Sequence, residues 1–313
     1  MGTPDFAVPS LDTLYKAGYD IVGVVTVADK PSGRGRKLRP SPVKVYAESK
    51  EIPVLQPIKL RDPEFIQSLA SWEADLFVVV AFRMLPEVVW SRPKLGTINL
   101  HASLLPDYRG AAPINWVIIN GERQTGLTTF LIDKQIDTGN LLLQTRVDIP
   151  DNWSAGDLHD EMMEAGAKLL LETVKGLAAN KLSPKVQDES LYIHKAPKIF
   201  KEHCEIDWNL PAQQVYNFIR GLSPYPAART SLHGQVMKLF GVELVEGGTV
   251  ELAGSLKTDS QTQELWVACK DGWLKIKRLQ LAGKKQMASA DFLRGYKGEL
   301  DRLGSNVESD GND

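Results

Sequence analysis

At 313 residues the chain exceeds the roughly 250 residues at which single hydrophobic cores stop growing, so we expect two domains. Its hydrophobic fraction of 43% and charged fraction of 24% are typical of a globular protein and exclude a disordered or fibrous chain. The net charge of −2 argues against attraction of nucleic acid to the whole surface.

The sequence offers no membrane or export signal. It has no run of about 18 consecutive apolar residues and no basic-then-apolar start of the kind found in signal peptides. The cysteines, Cys204 and Cys269, are too few for a disulfide framework or a zinc site. These features favour a cytoplasmic protein.

Basic residues are concentrated in two stretches although the net charge is close to zero. Residues 28–44 hold six lysines or arginines against one acidic residue, Asp29. Residues 270–298 hold eight lysines or arginines against Asp271 and Asp291. This local concentration of positive charge is more informative about binding partners than the net charge of the chain.

The first half of the chain alternates strand-like and helix-like stretches. Residues 21–27 and 76–80 are β-branched runs that are apolar on both faces, which is typical of buried parallel strands. Shorter stretches continue the pattern, with strand candidates at 97–100 and 128–132 and helical spacing at 41–50, 62–72 and 157–177. The alternation predicts an α/β domain with a Rossmann-like parallel sheet covered on both faces.

The second half has a different character. Residues 183–200 contain two prolines and many polar side chains, and they predict a linker between a first domain at 1–182 and a second at 201–298. One helix at 211–221 and short strand-like runs between turns favour a small OB-like β-barrel, the runs being 235–239, 254–257, 264–268 and 273–279. Residues 299–313 have little apolar content and are predicted to be a disordered tail.

The strongest candidate for chemistry is the segment from Asn99 to Gly110. Asn99, His101 and Ser103 alternate at the end of a predicted strand, so their side chains share one face. In open α/β sheets, ligands bind beyond the carboxyl ends of the strands. An amide, an imidazole and a hydroxyl at this place could bind a carbonyl group and transfer a proton during its reaction. A histidine bonded to backbone and an asparagine stabilising a turn fit the same pattern equally well.

A second polar segment, residues 133–139, follows the predicted strand at 128–132 and ends in a glycine turn. We expect its loop at the same edge of the sheet as His101. Asp137 could then orient His101 and stabilise its protonated form, because an opposite charge favours the charged imidazole. An Asp-Thr-Gly sequence alone is usually only a turn, because aspartate readily bonds its own backbone there.

Together the two segments resemble the folate-dependent formyltransferases, through Asn-x-His-x-Ser-Leu-Leu-Pro from Asn99 and Asp-Thr-Gly from Asp137. Three further segments narrow the resemblance to the methionyl-tRNA formyltransferases of that family: residues 2–8, residues 33–44 and Ile-Asp-Trp from Ile206. The resemblance extends to about residue 293. It implies transfer of the formyl group of 10-formyltetrahydrofolate to the α-amine of methionyl initiator tRNA.

The resemblance implies that Asn99, His101 and Asp137 are catalytic and that the folate is held by Ser103, Leu104, Leu105 and Pro106. The formyl oxygen gains negative charge in acyl transfer, and a donor such as Asn99 can contribute about 3 kcal/mol there. His101 could donate to the same oxygen or relay a proton toward the folate nitrogen, and both roles stay open. Direct attack by the amine needs no nucleophilic side chain, and we expect no metal.

The basic stretch at 28–44 carries the implied contacts with the tRNA acceptor stem. Gly33 and Gly35 permit close backbone approach, while the neighbouring basic side chains supply partners for phosphate: Arg34, Arg36, Lys37 and Arg39. In the family this loop reaches the acceptor end of the tRNA, and Arg34 matches the position of greatest expected importance.

A second basic surface is expected in the C-terminal domain. Lys275, Lys277 and Arg278 are predicted to contact the tRNA backbone, together with Lys270, Lys284 and Lys285. The alternative is a solvated face of the barrel, because the sequence does not place these side chains on one side.

The sequence departs from the family pattern at two places. Family members have an apolar strand before the Gly-Thr-Pro-Asp-Phe that starts here at Gly2, so we expect the first, central strand to be missing. Either the start codon was assigned too late, which we favour, or the chain was truncated. Without it, the predicted strands at 21–27 and 76–80 would lack a shared neighbour. Arg83, in the segment expected to line the folate pocket, has no explanation in the sequence.

Three other functions fit parts of the sequence. A formyltransferase for a small amine would share Asn99, His101 and Asp137 but would not need the basic loop or the barrel. An RNA-binding protein with an inactive transferase domain is disfavoured by that intact set. A serine hydrolase is disfavoured because no Gly-x-Ser-x-Gly elbow is present. The expected partners are therefore the initiator tRNA and the folate. We expect the protein to act as a monomer and not to bind a membrane.

Overall fold

The computed structural model describes residues 1–32, 37–259 and 261–304. Contacts between residues divide the chain into two compact units. The first comprises Met1–Pro113, Gln124–Asp148 and His159–Ala196, and the second comprises Ile114–Arg123, Ile149–Leu158 and Pro197–Asp313. Two short segments of the first half therefore belong to the second unit. Among the described residues, no helix is both long enough and apolar enough to cross a membrane.

The strands of the first unit are short and are numbered in chain order. They are β1 (Val24–Val25), β2 (Lys30–Ser32), β3 (Lys37–Arg39), β4 (Val54–Leu55), β5 (Phe77–Val80), β6 (Thr97–His101), β7 (Arg109–Gly110), β8 (Gln124–Leu131), β9 (Leu141–Asp148) and β10 (Lys195–Ala196). The helices of the first half are α1 (Val8–Lys16), α2 (Pro42–Ser49), α3 (Pro63–Ala70), α4 (Glu87–Trp90), α5 (Pro113–Ile119) and α6 (Ala155–Ala178).

Local sequence signals fix two of these helices. Ser41 accepts a hydrogen bond from the Lys44 amide at the start of α2, and Asp62 accepts one from the Glu64 amide at the start of α3. A proline follows each of these caps, where its fixed φ suits the first helical turn. The helices predicted at 41–50 and 62–72 are therefore confirmed to within two residues.

The main sheet of the first unit has the order β5-β6-β8-β9, and β1 pairs with β4 in a separate small sheet. The pairs β1/β4 and β5/β6 are parallel, as predicted for an α/β domain. Strand β8 runs antiparallel to β6 and β9 runs antiparallel to β8. The predicted fold class is confirmed, but the sheet is mixed rather than wholly parallel.

The start of the chain lies between β1 and β5. The Gly2 amide donates to Val25 O at 3.1 Å, and the Val80 amide donates to Met1 O at 3.0 Å. These two strands were predicted to lack a shared neighbour, and Met1 and Gly2 take that position over two residues. An apolar cavity of about 520 Å³ lies beside them, lined in part by Trp72.

The C-terminal part of the second unit contains these elements: α7 (Ala212–Gly221), β11 (Ala228–Leu232), β12 (Gln235–Val245), β13 (Leu256–Asp259), β14 (Glu264–Ala268), β15 (Trp273–Leu281), β16 (Met287–Ala288) and α8 (Ser289–Gly295). Its antiparallel sheet has the order β11-β12-β15-β14-β13, and β16 pairs with β15. Leu303 bridges Leu232 in β11, and Arg302 bridges Ser255 beside β13. Residues 302–303, in the segment predicted as a tail, thus contact both edges of the sheet.

The Ile-Asp-Trp sequence serves the core of this second unit. The Ile206 amide donates to Arg229 O at 2.9 Å, and Trp208 Nε1 donates to Thr230 Oγ1 at 3.1 Å. Trp208 is buried with 4% of its surface exposed. The motif therefore anchors the chain to β11, a strand that the sequence analysis did not predict.

Cys269 provides a test of this core. Its side chain is fully buried, and burial raises the pKa of the thiol from the usual 9.0 to about 12. Because only the thiolate reacts, its fraction at pH 8 falls by roughly a thousandfold in the folded protein. We expect Cys269 to resist a thiol reagent at pH 8 and to react promptly in urea, as measured by mass spectrometry of its peptide. Comparable labelling in both conditions would contradict the burial.

Candidate active site

Asn99 and His101 lie two residues apart on β6, so they share one face of the main sheet, as predicted. His101 is buried with 6% of its surface exposed. Its Nε2 lies 3.0 Å from Tyr108 O, and its Nδ1 lies 3.8 Å from Asp137 Oδ2. Because a carbonyl oxygen only accepts, Nε2 donates in the first contact, and Nδ1 is the nitrogen that faces the carboxylate. The structure therefore brings His101 and Asp137 together.

Asp137 is held in position by several hydrogen bonds. Its Oδ2 accepts from the Gly110 amide at 2.9 Å, and its main-chain oxygen accepts from Arg109 Nε at 3.0 Å. Its backbone has a φ of 57°, which an aspartate adopts only where surrounding contacts hold it. At Gly139 a Cβ atom would lie 1.7 Å from Leu131 O, so the glycine of Asp-Thr-Gly allows the turn to pack against β8.

The route by which Asp137 reaches His101 differs from the prediction. A parallel neighbour was expected to bring the 133–139 loop out at the carboxyl end of β6. In the structure β8 is antiparallel, and Leu131 at its end pairs with Ile98 near the start of β6. The loop therefore leaves at the opposite end and returns toward His101, which pairs with Thr128. The expected contact forms, but the reason given for it was wrong.

Hydrogen bonds within the protein hold the loop of residues 103–106, which the resemblance implies to bind folate. The Ser103 hydroxyl donates to Asp107 O at 2.6 Å, and the Leu105 amide donates to Thr128 Oγ1 at 3.1 Å. Thr128 Oγ1 in turn donates to Ser103 O at 2.7 Å. Ser103 is fully buried, so its hydroxyl shapes this loop rather than pointing into solvent.

Several polar contacts around these loops were not predicted from the sequence. Arg109 donates to both oxygens of Glu189, and Gln187 donates through Nε2 to Asp137 O at 2.8 Å. His194 contacts Asp107 Oδ2 through Nδ1 at 3.0 Å. Residues 187–194 lie in a polar run without periodicity, so no sequence signal marked them.

Arg83 has a structural explanation. Its guanidinium donates to Ile58 O at 2.9 Å and also to Pro57 O. It thereby fastens the turn that follows β5 to the segment that follows β4. Its neighbour Ala81 has a φ of 48°, a conformation that needs such support.

The predicted tRNA contacts of the first unit are only partly described. Arg34 and Arg36 lie outside the described residues, and Lys37 and Arg39 form the two ends of β3. Arg39 is exposed. Lys44, counted in the same basic stretch, instead donates to Asp29 Oδ2 at 2.7 Å. That hydrogen bond raises the pKa of Lys44 and lowers the pKa of Asp29, so Lys44 is neutralised locally.

The basic residues of β15 are not equivalent. Lys275 forms a salt bridge with Glu264, and Lys277 forms one with Glu243 at 3.1 Å. Arg278 is exposed at the irregularity where β12 shifts register. The two lysines are therefore partly neutralised within the sheet, which leaves Arg278 as the more available cation among these three.

The first unit has an α/β fold, and its buried pair of His101 and Asp137 provides groups suited to acyl transfer. The second unit is rich in β-strands. The formyl transferase family matches residues 1–174, and the C-terminal domain family of formyl transferases matches residues 198–297. The chain belongs to the formyl transferase family.

Near relatives span almost the whole chain. A methionyl-tRNA formyltransferase from Bacteroides fragilis is 51% identical over 304 residues, covering 95% of this chain and 94% of the relative. Another from Phocaeicola vulgatus is 53% identical over 308 residues, with coverage of 95% and 94%. The crystal structure of an N-formyltransferase from Helicobacter canadensis with folinic acid and dTDP-3-aminofucose aligns with a TM-score of 0.62, at 20% identity over 91% of this chain and 97% of that chain. At this identity the structural likeness concerns the fold alone.

Proposed function

We propose that this protein transfers the formyl group of 10-formyltetrahydrofolate to the α-amine of methionyl initiator tRNA. The observation that carries the proposal is the buried contact of 3.8 Å between His101 Nδ1 and Asp137 Oδ2. It lies in a chain that is 51% identical to a methionyl-tRNA formyltransferase over nearly its whole length. The initiator identity of the tRNA, contact with the acceptor stem and action as a monomer are parts of the same proposal.

In this reaction the neutral methionine amine attacks the formyl carbon, and the formyl oxygen gains negative charge. Asn99 shares a face of β6 with His101, and its amide is the group assigned to donate to that oxygen. A preorganised donor of this kind contributes about 3 kcal/mol to the transition state. The amine supplies the nucleophile directly, so no covalent intermediate with the protein is needed.

In this proposal His101 and Asp137 carry out the proton transfer that accompanies formyl transfer. When Nδ1 carries a proton, it can donate to Asp137 or to a group of the substrate, while Nε2 remains bound to Tyr108 O. The contact with Tyr108 fixes the plane of the ring, so Nδ1 alone is available for chemistry. Protonating the departing folate nitrogen makes tetrahydrofolate a better leaving group.

The folate and the tRNA have separate contact regions in this proposal. The loop of Ser103, Leu104, Leu105 and Pro106 forms the wall for the folate. Basic groups meet the phosphates of the tRNA in this proposal: Arg34, Arg36, Lys37 and Arg39 in the first unit and Lys275, Lys277 and Arg278 in the second.

A direct assay tests the proposal. Purified protein is incubated with 10-formyltetrahydrofolate and methionyl initiator tRNA, and formylmethionine is scored after hydrolysis of the ester. Parallel reactions contain glycinamide ribonucleotide or an amino-sugar nucleotide as the acceptor. We expect formylation of the tRNA-bound methionine, inhibited by uncharged tRNA. Formylation of a small amine that uncharged tRNA does not inhibit would favour the small-amine alternative.

A salt titration tests the second basic surface. Each lost phosphate contact lowers the slope of log affinity against log salt by about 0.7 to 0.9. We expect Arg278→Ala to produce this change, with a modest loss of tRNA affinity. Lys275→Ala should produce a smaller one, because Glu264 already neutralises Lys275. The exposed Lys94 supplies the control, since Lys94→Ala should leave the slope unchanged. Equal slopes for Arg278→Ala and the wild type would contradict the contact.

A further inference from the structure

A segment of the first unit, residues 187–196, packs against the loop that follows β6 and against the turn that carries Asp137. Strand β10 in this segment pairs in parallel with β7, placing Lys195 beside Arg109 and Ala196 beside Gly110. The fit is tight, because a Cβ atom at Gly110 would lie 2.3 Å from Ala196 O. The segment is therefore seated against the loop between His101 and α5.

Gln187 joins this segment to the Asp137 turn. Its Nε2 donates to Asp137 O at 2.8 Å and to Gly139 O at 2.9 Å, and its side chain is buried with 5% exposed. Its Oε1 accepts from Arg109, from Nε at 3.2 Å and from the terminal nitrogen at 2.5 Å. One amide thus connects two carbonyls of the Asp137 turn to the guanidinium of the neighbouring loop.

His194 and Asp107 form a second connection. Asp107 Oδ1 accepts from the His194 amide at 2.6 Å, and Asp107 Oδ2 accepts from His194 Nδ1 at 3.0 Å. The His194 ring stacks on Tyr108 with centroids 4.8 Å apart, and the Tyr108 amide donates to His194 O at 3.0 Å. Tyr108 has a φ of 56°, and its carbonyl is the group that holds His101. The position of the His101 ring therefore depends on these contacts.

We infer that Gln187 and His194 are positioning residues for the Asp137–His101 pair. Gln187 holds the Asp137 turn by donating to its main-chain carbonyls. His194 holds the ring and the amide of Tyr108, whose carbonyl oxygen fixes the ring of His101. Neither residue touches the reacting atoms. This role rests on the proposed function, because its kinetic consequence is stated for formyl transfer.

The expected effect follows from small displacements. Without the Gln187 amide, Gly139 O loses a hydrogen bond and Asp137 O keeps only Arg109, so the strained turn can relax. The Asp137 carboxylate moves with its main chain. A misplacement of about 1 Å in such a group lowers the rate by as much as a hundredfold, whereas binding of distant parts of the substrate is unaffected.

The experiment uses full-length protein with two substitutions at Gln187. Gln187→Ala removes the whole amide, and Gln187→Glu keeps the size and the acceptor for Arg109 but cannot donate to the two carbonyls. We expect both to lower kcat by about tenfold to a hundredfold, with KM for each substrate within about threefold of the wild type. The neighbouring Val186, 83% exposed, supplies the control Val186→Ala with unchanged kcat.

A matched pair of substitutions tests His194. His194→Ala should lower kcat in the same way, while His194→Asn should restore part of the rate because its side-chain amide can donate to Asp107 but has no ring to stack on Tyr108. Ile193→Ala is the control, since the Ile193 side chain is 74% exposed and only its amide contacts Asp107. Thermal unfolding of every variant establishes that the assays are run well below the melting temperature.

Two further measurements separate positioning from a general loss of structure. In an Asp137→Ala background, Gln187→Ala should lower kcat no further, because the residue that it positions is gone. Hydrogen exchange of the Gly110 amide, which donates to Asp137 Oδ2, should become at least about tenfold faster in Gln187→Ala and stay unchanged in Val186→Ala.

The outcomes distinguish this inference from the proposed function. If the wild type formylates methionyl-tRNA and Gln187→Ala and Gln187→Glu keep kcat within twofold, the inference is wrong and the function stands. If the wild type shows no formyl transfer, the proposed function fails and the Gly110 exchange alone decides. Unchanged Gly110 exchange in Gln187→Ala overturns the inference in either case.

Discussion

Replacing His101 by alanine is expected to lower the rate of formyl transfer at least about a hundredfold while tRNA affinity stays within a few fold. His101 stabilises charge that develops only in the transition state, so its loss should reduce kcat without lowering the affinity for tRNA. A hundredfold corresponds to about 2.7 kcal/mol of transition-state stabilisation. Rates are measured with saturating 10-formyltetrahydrofolate, and tRNA affinity is measured separately by filter binding.

The same result is expected for Asn99→Ala and for Asp137→Ala. Asn99→Ala removes the donor assigned to the formyl oxygen, and Asp137→Ala removes the carboxylate 3.8 Å from His101. The control is His159→Ala, because His159 lies on α6, where its Nδ1 contacts the exposed Asp160, and has no part in the proposed site. Near-normal turnover in any one of the three variants would remove that residue from the catalytic set.

His101→Ala also removes the hydrogen bond between His101 Nε2 and Tyr108 O, so some loss of stability is expected beside the loss of rate. His101→Asn provides a second variant, because the shorter asparagine side chain still carries an amide that can donate a hydrogen bond. If kcat falls equally in both variants while their melting temperatures differ, the rate loss belongs to the imidazole and not to unfolding.

Much of the fold followed from local patterns in the sequence. The buried runs before Val80 and His101 are strands, and the prolines after Ser41 and Asp62 mark helix starts, because capping and strand patterns act over a few residues. The direction of β8 was not predicted. A largely buried run such as the one from Gln124 to Leu131 has the same composition in a parallel or antiparallel strand, and only the connections decide its direction.

The candidate site was predictable to a different degree. Asn99, His101 and Asp137 were candidates because polar groups at a strand end and in a glycine turn stand out against apolar surroundings, and the family resemblance implied their catalytic role. Gln187 was not found, since it contributes one amide from a polar, aperiodic run and its partners are main-chain carbonyls. Residues that bind backbone far away in sequence leave no local pattern, so the 187–196 segment was interpreted only as part of a linker.

Charge was the least predictable property. Lys44, Lys275 and Lys277 belong to the two basic stretches, yet each forms a salt bridge with a carboxylate. Counting charges along the chain treated them as free for tRNA. Their partners Asp29, Glu264 and Glu243 lie on neighbouring segments of the fold, and this pairing reduces the cations expected to face phosphate.

Arg34→Ala is the substitution with the largest expected effect on tRNA recognition. Residues 33–36 connect β2 to β3, whose backbones pair with Lys30 opposite Arg39. Arg34 itself lies outside the described residues, and its role is proposed from the family resemblance, which puts this loop at the acceptor end beside the reacting amine. There Arg34 would position the methionine as well as neutralise phosphate, and misplacement of the amine by about 1 Å can cost a hundredfold in rate.

We therefore expect Arg34→Ala to lower kcat by about a hundredfold and to reduce discrimination between initiator and elongator methionyl-tRNA. The measurements are kcat/KM for both tRNAs and the salt dependence of binding. Arg39→Ala should change only the salt slope, by about 0.7 to 0.9, since Arg39 is exposed at the base of the hairpin. Arg61→Ala, at an exposed position between β4 and α3, should change neither. If Arg34→Ala behaves like Arg39→Ala, the loop is a general basic surface and the choice of initiator tRNA must be made elsewhere in the protein.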